Sequence, residues 1–67
     1  MSKLHSSAKI IHTLERNGFT FVSQRGSHLK LRRASFVVIV PANRREVPLG
    51  TVRSILRQSG LLESDFS

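Results

Sequence analysis

Cysteine is absent from these 67 residues, and so are tryptophan and tyrosine. Without cysteine there is neither a disulfide staple nor a thiolate metal site. That absence fits a reducing compartment. Acidic residues are scarce: Glu15, Glu46, Glu63 and Asp65 are the only ones, and they do not cluster along the chain. No HExxH or paired-carboxylate pattern exists, so a metal-dependent hydrolase is not expected, and neither a metal nor another cofactor is called for. Long apolar runs are missing as well. Phe36 to Val40 is the longest, far short of the roughly 20 residues a membrane-spanning helix needs. The stretch Met1 to His5 lacks the apolar core of a signal peptide, which makes the cytoplasm the expected location. With no repeat, linker or low-complexity tract, residues 1–67 read as one domain. A chain this short buries only about 60% of its unfolded surface, so its core is thin and a partner chain would be a welcome source of stability.

What the sequence does have is positive charge. Eleven Lys and Arg give a formal net charge of +7, and eight of the eleven are Arg. Arg grips phosphate with a planar fork of donors, so a polyanion is the expected partner. A solvated basic surface without a specific partner is the plainer alternative.

Periodicity then orders the chain. Ser6 and Ser7 are both good helix N-caps. Ile10, Ile11 and Leu14 follow on one helical face, and Gly18 after Asn17 supplies a left-handed stop, so a helix is predicted from about Ser7 to Asn17. His5 and His12 read as ordinary exposed histidines of this region. Phe19 and Phe21 alternate with Thr20 and Val22, the period of a strand. Arg25-Gly26-Ser27 reads as a turn, with Gly26 free to take positive φ. His28 to Arg32 then alternates: Leu29 and Leu31 point to a core, whereas His28, Lys30 and Arg32 point to water. Arg33-Ala34-Ser35 suits a second turn. Phe36 to Val40 is a β-branched run that Pro41 ends. Short connections imply an antiparallel meander. A second helix is predicted from near Pro48, with Leu49, Val52, Ile55 and Leu56 as its apolar stripe and Gly60 as its stop. Leu61, Leu62 and Phe66 form an apolar tail able to fold back over the core. The order α-β-β-β-α predicts an α+β two-layer sandwich like the double-stranded-RNA-binding-domain fold, with both helices on one face of a three-stranded antiparallel sheet.

His28 stands apart from the other histidines. It opens a strand directly after a glycine turn, on the predicted open face, with Lys30 and Arg32 at alternate positions beside it. An imidazole there is a candidate general base, able to take the proton of a ribose 2′-hydroxyl as that oxygen attacks the adjacent phosphate. Neighbouring cations would hold the phosphate and its developing charge. The residues by themselves leave three readings open. One is a ribonuclease. Another is a non-catalytic RNA-binding module that uses the same basic face. The third is a basic subunit that docks an acidic protein.

The sequence as a whole narrows these. Asn17-Gly18-Phe19, Gln24-Arg25-Gly26-Ser27-His28, the Val37 to Pro41 strand, and Gly50-Thr51-Val52-Arg53-Ser54-Ile55-Leu56-Arg57-Gln58-Ser59-Gly60-Leu61 follow one another in an order that resembles the HicA toxins, small mRNA interferases of bacterial and archaeal toxin–antitoxin pairs. The resemblance implies an endoribonuclease that cleaves mRNA, with or without help from the ribosome, and so arrests growth. It places the catalytic histidine at His28. It implies a HicB-type antitoxin that covers this histidine, with the toxin alone monomeric and the complex a hetero-oligomer. RNA-binding roles are then expected for Arg25, Ser27, Lys30, Arg32, Arg44 and Arg45, and a turn-shaping role for Gly26. One departure is visible: many members carry a second histidine just after the proline that ends the third strand, where this chain has Pro41-Ala42-Asn43. Asparagine donates hydrogen bonds but cannot relay a proton.

Overall fold

The computed structural model describes residues 5–66, so the stretch Met1 to Leu4, part of the segment read above for a signal peptide, lies outside the described residues. Helix α1 spans Ser7–Arg16, and its cap is Ser6, whose hydroxyl accepts the N–H of Lys9. The helix ends at Asn17, and Gly18 takes φ 92°, the left-handed stop expected of it. Three strands follow, β1 (Thr20–Arg25), β2 (His28–Arg33) and β3 (Phe36–Pro41), in the spatial order β1-β2-β3 and antiparallel throughout. Helix α2 spans Leu49–Ser59 and ends at Gly60 in the left-handed region, and a short 3₁₀ turn covers Glu63–Phe66. The α-β-β-β-α order, the three-stranded antiparallel sheet and its open face are therefore as the sequence implies.

Both hairpins close through two-residue loops, Gly26-Ser27 and Ala34-Ser35. In each, the first loop residue alone has positive φ, 55° at Gly26 and 53° at Ala34, the pattern of a type II′ turn. Gly26 takes that conformation freely. Ala34 has a Cβ that disfavours it. Ala34→Gly is therefore expected to stabilise the protein by about 0.5–1 kcal/mol, the left-handed strain relieved less the extra freedom glycine has when unfolded. Urea unfolding measures this directly. A loss of stability would show that the alanine is not strained.

The core lies between the helices and one face of the sheet. Ile10 and Leu14 of α1, Leu31 of β2, Val38 and Val40 of β3, Val52 and Ile55 of α2, and Phe19, Val47 and Phe66 from the connections and tail are all buried. Phe66 does fold back, whereas Leu62, placed with it in the apolar tail, remains 69% exposed. Leu49 of the expected stripe is also exposed. On the same face as Leu31, the Arg33 guanidinium lies 5.0 Å from the Phe19 ring centre and 5.7 Å from that of Phe36, and it donates to the Asn17 carbonyl. Arg33 thus works as a structural clamp with its stem packed and its head bonded.

The strand period predicted through Phe19 to Val22 does not carry through. Phe19 precedes the strand and is buried, but the register slips between Phe21 and Ser23, so Val22 is the extra residue of a β-bulge. The bulge sends Phe21 and Ser23 to opposite faces, although they are two residues apart. Phe21 pairs with Leu31 on the helix side, yet it is 56% exposed, because the helices pack chiefly on β3 and leave β1 uncovered. The two sheet edges are consequently unlike. All six residues of β1 are exposed, while at the β3 edge the side chain of Gln58 in α2 accepts the outward N–H of Ile39 at 3.0 Å.

Candidate functional site

The Gly26 turn does two things for His28. It ends β1 so that Arg25 pairs directly with His28, and it starts β2 so that His28 faces away from the core. The turn is braced on both sides. Gln24 Nε2 donates to the Gly26 carbonyl at 3.0 Å, and the Ser27 carbonyl accepts the N–H of Ala42 at 2.7 Å. His28 is exposed at the end of this frame.

Strand register sets its neighbours. Directly opposed residues share a face, so the open face carries three rows: Arg25–His28–Pro41, Ser23–Lys30–Ile39 and Thr20–Arg32–Val37. Arg25, Lys30 and Arg32 are exposed in these rows, as is Ser27 in the turn. The expected alternation of His28, Lys30 and Arg32 towards water is present.

The loop after β3 brings a further cation close. A groove of about 290 Å³ runs between the end of the sheet and α2, and it is lined by His28, Ile39 and Pro41 on one side and Pro48, Thr51, Ser54 and Gln58 on the other, with Arg44 beside them. Arg44 owes its place to Ser7. The buried Ser7 hydroxyl donates to the Pro41 carbonyl and accepts the Arg44 N–H, and the Ser7 N–H donates to the Arg44 carbonyl. Arg45 is exposed in the same loop but does not line this groove. Within α2, Arg57 Nη2 donates to Ser54 Oγ at 3.1 Å, which sets another guanidinium behind the groove wall.

The sequence reading missed the α2 wall. Thr51, Ser54 and Gln58 sit three and four residues apart, which places them on one helical stripe, but as small or polar residues they look like any solvated helix face. Only the docking of α2 along the β3 edge turns that stripe towards His28.

Asn43 does not line the His28 groove. It has φ 57° and lines a second depression, with Ser7, Ala8, Ile11, Gln24 and Leu29, that shares Arg44 with the first. Asparagine and histidine are among the few residues enriched in that left-handed conformation. Asparagine therefore suits the backbone at position 43 for a reason independent of proton chemistry. Among the described residues, no three His, Asp or Glu side chains gather as metal ligands would. Among the same residues, no helix is long and apolar enough to cross a membrane.

A small α+β fold with an open, cation-rich sheet face and an exposed histidine at a braced turn defines a class of compact basic proteins suited to polyanionic ligands. More particularly, the family model described as HicA toxin of bacterial toxin–antitoxin matches residues 7–61, and the chain belongs to that family. Membership makes it the toxin of a toxin–antitoxin pair. No curated protein matches the chain.

Proposed function

We propose that this toxin is an endoribonuclease that cleaves mRNA with His28 as the general base. The observation that carries the reading is the position of His28, exposed at a braced turn and sharing one groove with Arg44. In the reaction, His28 takes the proton of a ribose 2′-hydroxyl, and the 2′-oxygen bonds to the adjacent phosphorus. The bond to the 5′-oxygen breaks, and that oxygen takes a proton from water. The products are a 2′,3′-cyclic phosphate and a free 5′-hydroxyl. The attacking group belongs to the substrate itself, so the step needs no metal to make a nucleophile. Arg44 holds the phosphate and stabilises its charge, Lys30 and Arg32 continue the track along β2, and Arg25, Ser27 and Arg45 extend it at the rim. The mRNA is the substrate, translation is what its cleavage inhibits, and a HicB-type antitoxin is the partner that covers His28.

The test uses one RNA oligonucleotide and its copy with 2′-deoxyribose at the cleaved position, both with chelator present. Cleavage of the first to a cyclic phosphate end, with the second left whole, is the expected result. Equal cutting of both, or cutting that the chelator stops, would overturn this mechanism. One observation favours a second reading, a binding module without catalysis: no second histidine, carboxylate or lysine lines the groove beside His28 to serve as general acid. That reading predicts salt-sensitive RNA binding with the RNA still intact after long incubation.

A further inference from the structure

We propose that the α2 side of the groove is a nucleobase subsite in which Gln58 reads a base carbonyl, so that the enzyme prefers uracil or guanine there in unpaired RNA. The inference rests on the RNA reading above and adds to it which base is recognised and by which residue.

The orientation of the Gln58 carboxamide carries the argument. Its oxygen accepts the N–H of Ile39. The two ends of a carboxamide have similar shapes, but a backbone N–H can be satisfied only by the oxygen, so the amide cannot be turned round. The Nε2 end must then point away from the strand, with two N–H donors that have no partner among the described residues. Gln58 lines the groove, so these donors are presented at its wall. They are also held at a fixed place, because β3 anchors the other end of the same group.

The opposite wall is apolar. Ile39 and Pro41 line it beside His28. A flat base can lie against these side chains with its polar edge towards α2. Fixed donors demand an acceptor on that edge. Uracil offers O4 and guanine offers O6, whereas cytosine and adenine present amino groups at the equivalent positions, where two donors would face each other. Thr51 and Ser54 hydroxyls can both donate and accept, so they can bind RNA without choosing a base. In a duplex the edges that this wall would read are paired and stacked, so the base must be unpaired. The groove, about 290 Å³, is also at the lower limit of small-ligand sites, room for one base and its sugar rather than a helix.

The experiment uses a single-stranded RNA pool, randomised around the cleavage position, and reads the ends after limited digestion. Four oligonucleotides that differ only at the enriched position supply binding constants. Wild type is expected to favour uracil and guanine over cytosine and adenine by roughly three- to tenfold, the worth of one well-placed hydrogen bond. Gln58→Glu keeps an oxygen for the Ile39 N–H and puts an acceptor where the donors were, so the preference should invert towards cytosine and adenine. Gln58→Met retains bulk without hydrogen bonding and should flatten it. The ratio between bases is the readout, which discounts any uniform loss from the added negative charge. The same preference in all three proteins overturns the subsite. A wild type that binds the oligonucleotides but cuts none overturns the cleavage reading instead, and the base preference is then judged from binding alone.

Discussion

Replacing His28 with alanine is expected to lower RNA cleavage by about 10²- to 10⁴-fold, the usual contribution of a general base. It should do so without touching the fold. The side chain is exposed, it faces away from the core, and the turn that carries it is held by the Gln24 side chain and by the backbone bond from Ala42 to Ser27. The circular dichroism spectrum and the urea midpoint should match those of the wild type. RNA binding should fall little, because Arg44, Lys30 and Arg32 remain, and binding to phosphate comes mainly from such cations. Cleavage and affinity are therefore expected to separate in this one variant. In cells, His28→Ala should no longer arrest growth. Undiminished cleavage by the variant would transfer the role of base to another group and remove the central claim about this site.

The second large effect concerns stability, and it separates two phenylalanines that the sequence presents as equals. Phe19 is buried in the core with the Arg33 guanidinium against its ring, whereas Phe21 is half-exposed on a strand that no helix covers. Phe19→Ala removes a full aromatic side chain from a packed site and should cost about 3–5 kcal/mol. A domain of this length has roughly 3–10 kcal/mol in total at typical stability per residue, so the variant should be largely unfolded or close to it. Phe21→Ala should change stability by no more than about 0.5 kcal/mol, as for other surface positions. Urea titration of the two variants side by side checks this. Similar losses at both positions would mean that β1 is covered in solution.

Much of this fold is legible in the residues. Ser6 at the start of α1, Gly18 and Gly60 at the helix ends, Gly26 in the first hairpin and Pro41 at the end of β3 each have a local chemical reason to be where they are, and the strands and helices follow from them. What local chemistry does not announce is the bulge at Val22. No residue type demands it, and its effect on the faces of β1 depends on which residues of β2 lie opposite. The candidate site divides in the same way. His28, Lys30 and Arg32 are readable because alternation along a strand fixes their common face. The α2 wall is not, because Thr51, Ser54 and Gln58 acquire meaning only when α2 docks beside β3. Asn43 shows the opposite hazard. Its residue type invites a question about proton transfer, while its backbone, at φ 57°, supplies an answer about chain geometry.

The unequal edges of the sheet give the molecule a direction. At β3 the Gln58 side chain already occupies the outward N–H of Ile39, so a strand can pair there only by displacing it. At β1 the margin is unfinished and bears Phe21 and Val22 in the open. A further strand, whether from a binding partner or from a second copy at high concentration, meets less obstruction at β1, and there it meets a kink at Val22 that breaks a long, even pairing. Growth of this sheet is thus biased towards one side, and the bulge interrupts it there after a few residues.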